Sequence, residues 1–181
     1  MWWRKKKKTP PLLVLIQGSL QPRGLTDVLF QEAVRILFDQ PVAVVTIDVR
    51  NRHIDFYDTR PSEQYSVETR AMLDALSRAR GCFIAMPVYS AKISGAVNDF
   101  LTFVAPALKG KVASLACVGT SAVLYPASVS LVRLLHDTYG VSVVTPVVRA
   151  SPESFRDDHI FDEQVAAVLN ESLAALVKSS T

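Results

Sequence analysis

Cysteine is scarce in this chain of 181 residues: Cys82 and Cys117 are the only two, with no Cys-x-x-Cys spacing and no histidine nearby. That argues against a redox pair and suits a reducing compartment, the cytoplasm. Both lie in apolar runs and are expected in the core. Histidine is nearly as rare. His53 falls in a polar stretch, His136 on a helical pattern and His159 among acids, a spacing that suits neither a metal site nor a proton relay. No apolar run approaches the roughly 18 to 20 residues that a membrane-spanning helix needs. The run Leu12 to Ile16 follows a basic start, but it is too short for a secretory signal and no small-residue cleavage site follows it. Internal repeats are absent, and the single low-complexity feature is a run of lysines.

Charge is unevenly placed. The formal net charge is +3, yet Arg4, Lys5, Lys6, Lys7 and Lys8 alone supply five positive charges, which leaves −2 on the rest. A nucleic-acid-binding domain would carry its cations on a folded face, so that class is disfavoured. Residues 1–10 read as a basic, disordered tail that either solubilises the chain or touches an anionic surface or a partner. Residues 11–181, about half apolar, are long enough to bury a core without disulfides and read as one domain.

Five strand-length apolar runs alternate with helical patterns. The strands are expected at Leu12 to Gln17, Val42 to Val49, Cys82 to Met86, Val112 to Val118 and Val141 to Val148. Helices are expected at Thr26 to Phe38, Ser66 to Arg80, Ala96 to Ala105, Ala127 to Tyr139 and Phe161 to Val177. Leu29, Phe30, Ala33, Val34, Leu37 and Phe38 recur at helical spacing, as do Met72, Leu73, Leu76 and Ala79. Thr26 is the expected N-cap of the first helix and Ser94 of the third; Gly81 and Gly140 are expected to end helices, and Pro126 to begin one. Strands that are apolar throughout, alternating with helices, indicate a parallel sheet covered on both faces. The economical arrangement is an α/β three-layer sandwich with strand order 2-1-3-4-5 and a ligand site at the switch point between strands 1 and 3.

The loops leaving those strands carry the informative residues. Gly18 to Thr26 joins a strand to a helix N-terminus, where unsatisfied N–H groups and the helix dipole favour an anion. Ser19, Gln21, Arg23 and Thr26 offer donors there, although the same residues also suit a plain turn. Phe83 to Met86 runs into Pro87, which has no N–H for a ladder, so the strand is expected to stop and Pro87, Val88, Tyr89 and Ser90 to form a turn. Such a turn can hold a flat aromatic ring; Tyr89 is either a ring contact or a rim aromatic packed on its neighbours. After the fourth strand, Gly119 permits close approach, with Thr120 and Ser121 beside it. Asp157, Asp158, Asp162 and Glu163 read as a helix-start cluster rather than a carboxylate pair.

Three segments in this order, Gly18-Ser19-Leu20-Gln21-Pro22-Arg23, Pro87-Val88-Tyr89 with Ser94-Gly95, and Leu108-Lys109-Gly110-Lys111-Val112 leading to Gly119-Thr120-Ser121, resemble the NAD(P)H-dependent FMN reductases over residues 12–155. The resemblance implies a flavodoxin-like fold, FMN as cofactor and NAD(P)H as hydride donor. It implies FMN phosphate on Ser19, Gln21, Arg23 and Thr26, and the ring between Pro87, Val88, Tyr89, Ser90 and Gly119, Thr120, Ser121. No catalytic side chain and no metal are expected, because the cofactor carries the chemistry. Homodimers or homotetramers, with reduced flavin passed to a monooxygenase, quinone or dye, also follow from it. The polar segment Arg50 to Tyr65 would then reach across an interface or cover its own sheet edge. This chain departs from the family in having Gln21 where arginine is usual, Asn98 where lysine is common, and one glycine at 119 where two are common. The first change implies weak phosphate binding unless Arg23 substitutes, and keeps open a non-enzymatic flavin carrier or interaction module.

Overall fold

Side chains alternate across a strand, so a strand buried on both faces must be apolar at every position. In β1 (Leu12–Gln17) Leu13 and Leu15 enter one apolar layer and Val14 and Ile16 the other. The computed structural model describes residues 9–51 and 53–181; the basic run Arg4 to Lys8 of the expected tail lies outside them. Along the chain follow α1 (Leu25–Phe38), β2 (Ala43–Asp48), α2 (Val67–Arg78), β3 (Gly81–Tyr89), β4 (Lys92–Ile93) and α3 (Gly95–Leu108). Then come β5 (Val112–Val118), α4 (Ser121–Arg133), β6 (Ser142–Val143), β7 (Val148–Ala150), β8 (Phe155–Arg156), β9 (His159–Ile160) and α5 (Glu163–Ser180).

The main sheet is parallel in the order β2-β1-β3-β5-β6, with β7 pairing the far part of β5. This is the flavodoxin-like order 2-1-3-4-5 that the strand and helix alternation leads one to expect. Helices α1 and α5 pack on one face around Leu29, Leu37, Leu169 and Leu173, and α2, α3 and α4 on the other around Leu76, Leu101, Val104 and Leu131. Each fully buried side chain of this kind contributes roughly 1.5 to 3 kcal/mol, which makes the two apolar layers the main support of the three-layer sandwich. Cys82 and Cys117 are free and buried, and burial pushes both thiols up to about 12. The three histidines are exposed. Among the described residues no helix is long and apolar enough to cross a membrane.

Several local expectations are corrected. Strand β3 does not stop at Pro87. Ala85 O faces the β1 side, where it accepts the Gly18 N–H at 2.8 Å; Pro87, two residues on, faces the same way, beyond the end of β1, so its missing donor breaks no bond. Pro87 therefore stays paired with Val118, and the chain reverses only at Ser90 and Ala91, both at positive φ, into β4. Gly81 does not cap α2, which ends in extended geometry at Ala79; it opens β3 under α5, where a Cβ would lie 2.8 Å from Ser180 Oγ. Gly140, at φ +66, does end its helical segment, as expected. The fourth helix starts at Ser121, six residues early, so Pro126 lies inside it. Its missing N–H leaves one first-turn carbonyl without a helical donor, which burial of Leu124, Ala127 and Leu131 against the sheet outweighs. A π-helical turn, Leu134–Thr138, completes that segment. The fifth expected strand splits into β6 and β7. Asp162 caps α5 through Gln164 and Val165, whereas Asp157 and Asp158 sit at positive φ in the β8–β9 turn.

Candidate functional site

The carboxyl ends of β1, β3 and β5 deliver three loops to one cleft of about 440 Å³. Ser19, Gln21, Arg23 and Thr26 come from the first, Pro87, Val88 and Tyr89 from the second, and Gly119 and Thr120 from the third; Gly24, Leu25, Val118 and Pro152 complete the wall. Two expected residues are elsewhere. Ser90 occupies the β3–β4 turn, exposed and at φ +48, and Ser121 faces a neighbouring hollow with Arg149 and Ser154. Pro152 and Val118 were not legible as site residues, because their placement depends on β7 joining β5.

The first loop is shaped by its own side chains. Ser19 is 2% exposed; its Oγ accepts the Gln21 N–H at 3.1 Å, and its own N–H donates to Gln17 Oε1 at 2.5 Å. Thr26 is not the N-cap. It is buried, in the first turn, and Gly24 takes the cap position without a side-chain bond. The Leu25 and Thr26 N–H groups consequently have no side-chain capping oxygen, the condition that suits an anion, whereas the Asp27 N–H donates to Gly24 O at 2.8 Å. Arg23, at φ +55, borders this cleft as well as a hollow shared with Glu32 and His159, and among the described residues it is the one charged residue lining the cleft.

Behind the loop lies a network that sequence reading missed. Asp27, in the first turn of α1, accepts the Gln17 side-chain amide, the Arg23 N–H at 2.6 Å and Arg50 Nη1 at 2.9 Å. Arg50, from the end of β2, also grips Asp48 at 2.5 Å. Burial opposes ionisation of Asp48, but hydrogen bonds and charge from Arg50 hold its carboxyl below the usual range. The only local hint was an acid in the first turn of a helix; Asp27 and Arg50 are 23 residues apart.

The Gly119 backbone meets β3 so closely that a Cβ there would stand 2.8 Å from Val88 O. Close approach is thus built in, as the lone glycine implied. Ser94 caps α3 through the Val97 N–H at 3.3 Å.

The segment after β2 folds back on its own chain. Tyr57 stacks on Phe103 of α3 with centroids 5.4 Å apart, and Tyr65 packs against the same ring at a tilt, 4.9 Å away. It borders a second, apolar cleft of about 330 Å³, where Leu20, Val49, Ile54, Phe56 and Phe100 meet. Asp55, on its rim, has its carboxyl pulled down to about 2, first by hydrogen bonds from Ser66, then by Thr69. A depressed folded-state value means that its contribution is complete above the unfolded value of about 4 and disappears as pH falls toward the folded one. The stability gap between the parent and Asp55→Asn is therefore expected to be constant above about pH 4 and to close near pH 2. Urea unfolding at stepped pH measures it; a gap that widens on acidification would contradict the assignment.

The fold is shared with solved oxidoreductases. An NADH:FMN oxidoreductase (EMOB, apo form) is 24% identical, with a TM-score of 0.74 over 93% of this chain and 89% of that one. FerB, a flavoenzyme NAD(P)H:(acceptor) oxidoreductase from Paracoccus denitrificans, is 15% identical with a TM-score of 0.72, covering 94% and 97%. An oxidoreductase from Corynebacterium diphtheriae is 20% identical with a TM-score of 0.69, covering 94% and 98%. At these identities the likeness is one of fold. No curated protein matches the chain. The family model for NADPH-dependent FMN reductase, however, matches residues 11–154, a span holding the three loops that meet at the cleft, and on that match the chain belongs to the family.

Proposed function

We propose that this chain passes a hydride from NAD(P)H to FMN in the cleft between the 18–26 loop, the end of β3 and the end of β5. One observation carries the placement. The cleft lies at the carboxyl edge by the β1–β3 switch point, contains no carboxylate among its lining residues and has Arg23 as its charged group. Its volume lies within the usual range for ligand pockets, roughly 300 to 1,000 Å³. The phosphate is assigned to the open N–H groups at the start of α1 with Gln21, Arg23 and the hydroxyls of Ser19 and Thr26. Pro87, Val88, Tyr89, Gly119 and Thr120 are assigned to the ring; Ser90 and Ser121, which do not line the cleft, are not.

When bound, the flavin supplies the hydride-accepting ring. The chain's own work is positioning and electrostatics. Gly119 lets the third loop close on β3, Tyr89 and Pro87 limit water on one side, and the α1 terminus opposes the ligand's negative charge. FerB and EMOB, by their descriptions an NAD(P)H:(acceptor) and an NADH:FMN oxidoreductase, support this reading. The two buried free thiols agree with a cytoplasmic setting. Pairing of subunits belongs to the same proposal, with Phe56, 87% exposed, and Leu20 as the apolar face a second copy would cover.

A non-enzymatic carrier is the second reading, favoured by the Asp27 carboxylate, which already holds the Arg23 N–H and Arg50. Anaerobic titration with FMN and then NADPH or NADH separates the two. Bleaching of the flavin's visible absorbance supports the reductase. Binding without bleaching by either nucleotide identifies a carrier, and no binding leaves an interaction module.

A further inference from the structure

We infer that the hollow beside the cleft, built on Arg149 with Ser121 and Ser154, is a subsite for a phosphate group of the nicotinamide nucleotide. Its ligand, though not the site itself, rests on the reductase reading. The hollow, of about 320 Å³, lies at the carboxyl edge of the sheet, where the end of β7 and the amino ends of α4 and α5 come together. It adjoins the cleft. Ser121 of the hollow follows Thr120 of the cleft in the chain, and Ser151 of the hollow precedes Pro152 of the cleft.

None of the residues assigned to the flavin uses Arg149. Its Nε donates to Ser128 Oγ at 2.7 Å, and the Ser128 hydroxyl, on a residue 0% exposed, donates in turn to Tyr125 O at 2.9 Å. The guanidinium carbon stands 5.1 Å from the centroid of the Tyr125 ring. A guanidinium held by one nitrogen and one face keeps its two Nη groups for a ligand, and such a fork matches two oxygens of a phosphate. Those two groups make no hydrogen bond and no ion pair among the described residues.

The surroundings add donors. Ser154 is 5% exposed, and its hydroxyl, which has no hydrogen-bond partner among the described residues, opens on the hollow. Ser121 begins α4, whose N-cap Thr120 makes no side-chain bond, so the Ser121 and Ala122 N–H groups lack a side-chain capping oxygen, whereas the Val123 N–H donates to Thr120 O at 3.0 Å. Gln164, in the first turn of α5, brings a side-chain amide. One group opposes. Asp162 also lines the hollow, with Oδ1 accepting the Gln164 and Val165 N–H groups at 2.9 and 3.2 Å. A carboxylate ligand, with two oxygens, would occupy the arginine fork and leave the hydroxyls unused. A phosphate group has further oxygens for them.

Calorimetric titration of the full chain without flavin, using ADP-ribose, 2′,5′-ADP and adenosine as probes, tests the inference. ADP-ribose carries the diphosphate common to both nicotinamide nucleotides, and 2′,5′-ADP the ribose phosphate that NADPH alone has. At least one of these two is expected to bind, and adenosine is not. Arg149→Gln should weaken that binding roughly tenfold to a hundredfold, and Asp162→Asn, which keeps the cap and removes the charge, should tighten it. Should Arg149→Gln fail to fold, Arg149→Lys and Ser154→Ala, which remove the fork and one hydroxyl, are each expected to weaken binding severalfold. A loss with ADP-ribose assigns the subsite to the diphosphate; a loss with 2′,5′-ADP alone assigns it to the ribose phosphate and predicts a lower KM for NADPH than for NADH. Binding of neither probe, equal binding of adenosine, or unchanged affinity in a folded Arg149→Gln protein overturns the inference. These probes need neither flavin nor turnover, so a failure to bleach FMN would sink the reductase reading while their binding still judged the site.

Discussion

Gly119→Val is expected to lower FMN affinity about a hundredfold and to destabilise the fold by about 1 to 3 kcal/mol. The reason is steric and local. A Cβ at this position would sit 2.8 Å from the Val88 carbonyl oxygen and 3.2 Å from Val88 Cβ; Val88 is buried, pairs with Ile93 of β4 and follows Pro87, which pairs with Val118 of β5. Buried backbone paired in a strand cannot swing aside as a flexible side chain would, so the loop after β5 has to move instead. It carries Thr120 and forms the wall of the cleft opposite Tyr89, and displacing such a wall by about 1 Å is enough for a loss of this size. Gly119→Ala should give a smaller effect of the same kind. Flavin fluorescence titration and urea unfolding measure the two quantities. Unaltered affinity in a folded valine variant would place the ring elsewhere.

Removal of the Asp27 carboxylate should have the next largest effect, through a different route. Asp27→Ala leaves the Gln17 side-chain amide, on a residue 1% exposed, without its acceptor, takes one of two carboxylates from Arg50, and frees the Arg23 N–H. An unsatisfied buried donor costs about 1 to 3 kcal/mol, and the lost ion pair adds to it, so a stability loss of about 2 to 4 kcal/mol is expected. Arg23 would lose the anchor that holds it at positive φ, and with it the shape of the loop at the start of α1. FMN affinity should then fall at least tenfold, while riboflavin, which has no phosphate, should lose much less. Equal losses for the two flavins would reduce Asp27 to a general stabiliser. Asp27→Asn, which keeps one acceptor oxygen, should recover part of the stability.

These two positions differ in how far the sequence announced them. Gly119 follows an apolar strand and precedes a helix, a context in which a lone glycine suggests close approach. Asp27 showed only that an acid stood in a helix's first turn, a common dipole effect. Its role depends on Arg50, which reaches it because β2 lies beside β1. Pro87 gives a similar lesson. A proline at the end of an apolar run normally stops a strand, and the rule fails here because β1 ends first, so the face of β3 that lacks a donor has no neighbour to disappoint. Gly81 was read as a helix terminator, yet what it meets is Ser180 and Leu176 of α5, nearly a hundred residues later in the chain.

What the sequence by itself determined is the alternation of strands and helices, the double-faced burial of the central strands and the three loops that bear the cleft. These follow from periodicity, apolar content and turn chemistry, which act over a few residues and are written out in order. Only the tertiary structure decided that Ser90 and Ser121 turn away, that Pro152 and Val118 line the cleft, that Asp27 and Arg50 brace its floor and that a second apolar cleft opens against Phe100. Each of these depends on which strand or helix lies alongside which, and that choice is made by packing the whole sheet, where the partners are far apart in the chain and no local pattern identifies them.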